Sequence, residues 1–225
     1  MNPFKKITHL IYDMDGLLLD TETLNAEVNQ KIALRYGKIF DQSAKAKVAG
    51  RSTKESAQVV VELLELPISV EDYLEQRNSL IWKRYTTAKL LPGAMRLTQH
   101  FYSNQIPQAI ATSSSEVNFN LKMTHHQDWI SLFDCFVLGD DPEIQNGKPK
   151  PDIFLLAAQR LGASPETCLV FEDSLAGMQA AIAAGMSVVV IPDSEMDKTL
   201  YSEANQILNS LEEFDPTVWQ LPTFI

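Results

Sequence analysis

No apolar run in the chain approaches the ~20 residues that a membrane-crossing helix needs, and the aspartates that soon follow MNPFKK in ITHLIYDMD leave no room for the core of a secretory leader. A soluble, cytoplasmic protein is the expectation. Basic residues are scarce too: 19 Lys and Arg against 29 Asp and Glu give a formal charge of −10. That balance excludes nucleic acid and anionic membrane as expected partners, since both are gripped through clustered cations. Cysteine is nearly absent. The two present, Cys135 and Cys168, lie in apolar runs and read as buried, reduced thiols rather than a disulfide framework. Internal repeats and low-complexity segments are missing. Oligomeric state leaves no mark, and a monomer is compatible with this composition.

What is present suffices for a full core: 225 residues, 45% of them hydrophobic, enough for one large domain or two. The chain is organised around ITHLIYDMDGLLLDTE, where the apolar residues Ile7, Leu10, Ile11 and Tyr12 lead into two aspartates one residue apart. The apolar run reads as a strand of a parallel sheet covered on both faces. Side chains alternate along an extended chain, so Asp13 and Asp15 project to one side, and Gly16 lets the chain turn away. Two close carboxylates persist at a buried strand end only if a cation, a proton or hydrogen-bond donors compensate them. A solvated loop, or a cap for the next helix, is the plainer alternative.

Beyond the aspartates, Asp20 or Thr21 can cap a helix carrying Leu24, Val28 and Ile32 and ending near Gly37. Ser52 and Glu55 form a capping box before a second helix, and Ser69 and Asp72 open a third. Residues 17–90 therefore read as a helical domain inserted into a core made of residues 1–16 and 91–225. From residue 91 onward, strand patterns at 106–111, 133–138, 168–171 and 187–191 alternate with helical ones such as 152–161 and 174–184. That rhythm predicts an α/β core built on a doubly wound parallel sheet.

Ligands of such sheets sit outside the carboxyl ends of the strands. Three polar clusters fall there: Asp13 with Asp15, the TSSS run of Thr112 to Ser115, and Glu172-Asp173-Ser174. The serines can simply cap the helices that follow, whereas adjacent acids after CLVF gain nothing for packing. Lys148 stands in GKPKPD, stiffened by two prolines, although an exposed loop lysine would read the same. Together these residues describe phosphoryl transfer. One carboxylate attacks phosphorus, and a second aspartate gives the leaving oxygen its proton. Mg²⁺ on oxygen ligands, a lysine and hydroxyl donors carry the phosphoryl charge.

DMDG, ATSSS, GKPKPD and FEDSLAGMQAA resemble, in order and spacing, the four motifs of the haloacid dehalogenase superfamily, and the likeness covers essentially the whole chain. It implies Asp13 as nucleophile, Asp15 as acid/base and main-chain ligand of Mg²⁺, and Asp173 as metal ligand with Glu172 at or beside the metal. It places Thr112, Ser113 and Lys148 around the phosphoryl group. The insertion would be a helical cap, closing over the site on hinges at residues 17–20 and 90–93. Asp15 argues against dehalogenation and phosphonate cleavage, whose enzymes in this superfamily lack that aspartate.

Hydrolysis of a small phosphorylated metabolite remains. TSSSEVNFNLKM, FVLGDDPEIQNGKPKPDIFL and LVFEDSLAGMQAAIAAGM are most similar to the pseudouridine-5′-phosphatase-like group, with KVAGRSTKESAQVV in the cap a weaker likeness, implying pseudouridine 5′-phosphate or a related nucleotide or sugar phosphate. A β-phosphoglucomutase-like phosphomutase is the alternative, and a non-catalytic metal-binding homologue a third reading. Arg51 and Lys54 are candidate substrate contacts from the cap, or else solvated charges beside a capping box. His125-His126 reads as surface, and Trp82, Trp129 and Trp219 as packing residues.

Overall fold

The computed structural model describes residues 6–48 and 51–224; Gly50, the first five residues and Ile225, all included in the expected domain ranges, lie outside the described residues. Its sheet is built from β1 (His9–Tyr12), β2 (Gln108–Ala111), β3 (Cys135–Val137), β4 (Cys168–Glu172), β5 (Ser187–Val190) and β6 (Gln206–Ile207). The order is β3-β2-β1-β4-β5-β6, and every pairing is parallel. Strand alternation divides the core into two layers. Leu10, Tyr12, Ile110, Leu169 and Phe171 face α5 (Ala94–Ser103), α6 (Glu116–Lys122) and α7 (Gln127–Ile130). Ile11, Ala109, Ala111 and Val170 face α8 (Asp152–Leu161) and α9 (Leu175–Ala183). The doubly wound architecture follows directly.

Tyr12 shows how tightly the first layer is built. Its ring stacks on Phe171 at 5.1 Å and meets Phe133 edge-on at 5.9 Å, while its hydroxyl donates to Gln108 Oε1 at 2.9 Å. A buried hydroxyl without that acceptor would be costly.

Among the described residues between β1 and α5 lie four helices: α1 (Glu22–Arg35), α2 (Gln42–Val48), α3 (Thr53–Leu63) and α4 (Val70–Tyr85). They enclose their own apolar cluster, including Val28, Ile32, Val60 and Ile81. Both expected capping boxes form, Ser52 with Glu55 and Ser69 with Asp72. The entry to α1 differs: Thr21 holds the cap position without a side-chain bond, and Asp20 accepts only a long one from Thr23 N at 3.4 Å. The segments entering and leaving the helical block pair with each other, Leu91 N donating to Leu18 O and Asp20 N to Lys89 O, both at 2.9 Å.

Other details depart from the sequence reading too, among them α2, a helix it did not contain. β6 is two residues long, too short to show a period. The first strand begins at His9, and Ile7 instead donates its N–H to Trp219 O. Trp82 is 44% exposed on α4 rather than packed, unlike Trp129 and Trp219. His126 is half-buried and shares a 2.8 Å hydrogen bond with Ala88 O, so only His125 is a surface residue.

Candidate active site

β1 lies between β2 and β4, so the chain leaves the sheet in opposite directions on either side of it and opens a crevice at the strand ends. Asp13 follows β1 directly, its N–H held by Phe171 O at 2.9 Å. Met14 turns into the core, which leaves Asp13 and Asp15 on the cavity side. Gly16 then adopts φ +82°, where a side chain would be strained and would also strike the Asp173 carboxylate.

The two aspartates have different companions. Lys148, 5% exposed, donates to Asp13 Oδ1 and to Glu172 Oε1, each at 2.6 Å. Asp15 Oδ2 accepts from Thr112 Oγ1 at 3.1 Å and Ser114 Oγ at 2.8 Å, and its Oδ1 accepts from Lys122 Nζ at 2.5 Å. Burial pushes the Asp13 carboxyl up to about 7, against the pull of Lys148 and with help from the charges of Glu172 and Asp15. For Asp15 burial pushes the same way, but Lys122 and the surrounding donors outweigh it and hold the carboxyl low. Lys148 is disfavoured by burial, yet Asp13 and Glu172 more than restore it and raise its value.

Glu172 has no free oxygen: Oε1 holds Lys148, and Oε2 accepts from Asp173 N, Ser174 N and Ser174 Oγ. A side chain at Gly177 would overlap that carboxylate, so glycine is required there. Asp173 is different. Burial and the charges of Glu172, Asp13 and Glu22 drive its carboxyl far up, and no ion pair reaches it among the described residues. Five carboxylates, Asp13, Asp15, Glu22, Glu172 and Asp173, therefore crowd one crevice against Lys148 and Lys122.

Of the expected residues, Asp13, Asp15, Thr112, Ser113, Lys148, Asp173 and Arg51 all line one cavity of about 120 Å³. Lys54 is exposed and absent from that lining, because it lies on the outer face of α3. Arg51 is exposed, its Nε donating to Lys47 O at 2.7 Å. Ser115 and Ser174 are helix caps, as the plainer reading had it. Sequence reasoning missed Lys122, although a lysine three residues after buried Phe119 on one helix face was a signal. It also missed the polar roof of the cavity. Tyr73 donates to Asn29 Oδ1 at 2.7 Å, and Asn25 Oδ1 accepts from Arg77 at 2.9 Å and from Tyr85 at 3.1 Å. Tyr73, Arg77, Ile81 and Tyr85 recur every fourth residue along the buried stripe of α4, so an arginine inside that stripe was legible.

A buried carboxylate gripped by a lysine, a second one ringed by donors and a third without a cation can together support attack on phosphorus, protonation of a leaving oxygen and metal binding. The chain belongs to the haloacid dehalogenase-like hydrolases, whose sequence model matches residues 10–191. Within that family it is a phosphatase, similar along nearly its whole length to named phosphatases. It is 45% identical over 223 residues to the mitochondrial (DL)-glycerol-3-phosphatase 1 of Arabidopsis thaliana, covering 97% of this chain and 75% of that protein. It is 44% identical to the probable pseudouridine-5′-phosphatase of Drosophila melanogaster, covering 98% and 96%. A crystal structure of a Thermotoga maritima protein provisionally named β-phosphoglucomutase superposes with a TM-score of 0.74 at 30% identity, over 95% of this chain and 97% of that one. Among the described residues, no helix is long and apolar enough to cross a membrane.

Proposed function

We propose that the chain hydrolyses the phosphate monoester of a small, polyhydroxylated alcohol, using Mg²⁺ and a phosphoryl group carried on Asp13. The observation that carries this reading is the division of labour between the aspartates, with Asp13 against Lys148 and Asp15 inside a ring of donors within one cavity. Asp13 attacks phosphorus while Lys148 and Thr112 steady the phosphoryl oxygens, and Asp15 supplies the proton that the departing alkoxide needs. Water then hydrolyses the aspartyl-phosphate, and the helical block acts as the cap that admits or excludes it.

Mg²⁺ suits the residues present. Asp13 and Asp173 are hard oxygen donors, and Asp173 makes no ion pair among the described residues. The ion would be held by these two carboxylates together with the Asp15 main-chain carbonyl. Glu172, its oxygens occupied, positions Lys148 rather than binding metal. When bound, Mg²⁺ would offset the charge of the phosphoryl oxygens.

The cap supplies selectivity. Asn25, Asn29, Tyr73, Arg77 and Tyr85 present hydrogen-bonding groups to the cavity, and Arg77, buried without a carboxylate partner among the described residues, calls for acceptors on the substrate. The tyrosine hydroxyls are tied into this network, and Lys122 Nζ lies 4.4 Å from the centre of the Tyr85 ring. Glycerol 3-phosphate, a small polyol ester, is the first candidate, and pseudouridine 5′-phosphate is the next. Two unpaired thiols, Cys168 buried and Cys135 partly covered, accord with a cytoplasmic setting.

Phosphate release with Mg²⁺ across glycerol 3-phosphate, pseudouridine 5′-phosphate, uridine 5′-phosphate and hexose phosphates tests this reading. A preference of about tenfold or more in kcat/KM for a polyol ester, lost in Arg77→Ala, is expected. The likeness to the Thermotoga protein supports one rival, a phosphomutase. Isomerisation of β-glucose 1-phosphate without phosphate release would establish that rival and overturn the hydrolase.

A further inference from the structure

Lys122 is 1% exposed, on a helix whose other buried residue is Phe119. A lysine taken out of water costs several kcal/mol unless its charge and protons are fully used. Here they are. Its Nζ donates to Asp15 Oδ1 at 2.5 Å and to Ser114 Oγ at 2.6 Å, while Ser114 donates onward to Asp15 Oδ2 at 2.8 Å. The Tyr85 ring of the helical block covers the ammonium at 4.4 Å and shields it from solvent. The two buried lysines thus divide the two aspartates, Lys148 gripping Asp13 and Lys122 gripping Asp15.

We propose that Lys122 is a positioning residue for Asp15, an inference that rests on Asp15 being the proton donor. In the transfer step a bond forms between an Asp13 oxygen and phosphorus. The bond from phosphorus to the ester oxygen breaks, its electron pair stays on that oxygen, and the oxygen takes a proton from Asp15, a carboxylate before substrate binds that gains this proton from solvent as the substrate phosphate enters. Water later returns a proton to Asp15 as the acyl phosphate is hydrolysed. Lys122 gives neither proton nor electrons. Together with Ser114 it fixes the direction of the carboxyl, and holds it when Thr112 turns to the phosphoryl group. A misplacement of about 1 Å in such a group can cost ~10²-fold in rate.

The test compares wild type, Lys122→Met, Asp15→Ala and the double variant with Mg²⁺ present, on glycerol 3-phosphate and on 4-nitrophenyl phosphate, whose leaving group needs no proton. Circular dichroism and melting establish that each variant is folded; should Lys122→Met fail, Lys122→Gln carries the same comparison. The expected result is a fall of ~10²-fold in kcat on the alkyl ester, with KM little changed, a much smaller fall on the aryl ester and no added loss in the Asp15→Ala background. Equal losses on both esters, or losses that multiply with those of Asp15→Ala, would overturn the proposal. If Asp15→Ala itself lacks ester selectivity, the donor role fails and the proposal falls with it. Selective Asp15→Ala beside unselective Lys122→Met removes the proposal alone.

Discussion

Asp13 and Asp15 are two residues apart and meet different partners, so their variants should fail in different ways. Asp13→Asn keeps the size of the side chain and its contact with Lys148 but removes the proposed nucleophile. Turnover should drop to background on every ester while circular dichroism is unchanged; substantial residual phosphatase activity would remove Asp13 from its role. Gly177 makes a prediction about support rather than chemistry. A methyl group there would collide with the Glu172 carboxylate that anchors Lys148. Gly177→Ala should therefore destabilise the fold by about 1–3 kcal/mol, read by urea unfolding, and lower kcat as Lys148 shifts. Unchanged stability and activity would show that Glu172 can move freely.

At the scale of elements, the helical block is tied to the core by the paired connections at residues 18–20 and 89–91, by the Tyr85 ring against Lys122 and, among the described residues, by one ion pair, Lys45 Nζ to Asp193 Oδ2 at 2.5 Å. Burial tends to raise the Asp193 carboxyl, but the bonds from Lys45 and Glu195 N prevail and lower it. Such a group stabilises the folded state above its ordinary value near pH ~4 and loses that contribution as pH falls through its depressed folded value. A double-mutant cycle of Lys45→Ala with Asp193→Ala should give a coupling of at most ~1 kcal/mol at neutral pH, vanishing in acid. Coupling that persists in acid would rule out the ion pair as its source.

Helices α3 and α4 and the buried strands were legible because their signals are local: two capping boxes and short apolar runs closed by polar residues. β6 was not, since two residues carry no pattern. The donors around Asp15 were half legible. Thr112 sat in a visible polar cluster, but the inward turn of Lys122 is decided by Asp15, 107 residues away, and Lys54 turned outward because its helix buries Ala57 and Val60 instead.

For the whole molecule, the parallel sheet gathers Asp13 and Asp15, Thr112 and Ser114, Lys148, and Glu172 and Asp173 from four stretches of the chain and concentrates carboxylates there beyond what Lys148 and Lys122 offset. Binding of Mg²⁺ should stabilise the folded chain by mass action, about 2.7 kcal/mol at a hundredfold excess over Kd, measured as a rise in Tm. Asp173→Asn should abolish that rise; if it survives intact, the ion binds elsewhere.

The central claim is that phosphate passes through Asp13. Rapid acid quench during turnover of glycerol 3-phosphate with Mg²⁺, followed by peptide mapping by mass spectrometry, tests it most directly. The account predicts a phosphoryl group on Asp13, present in wild type and missing in Asp13→Asn. A phosphoryl group on another residue, or turnover by Asp13→Asn with none trapped, would contradict it.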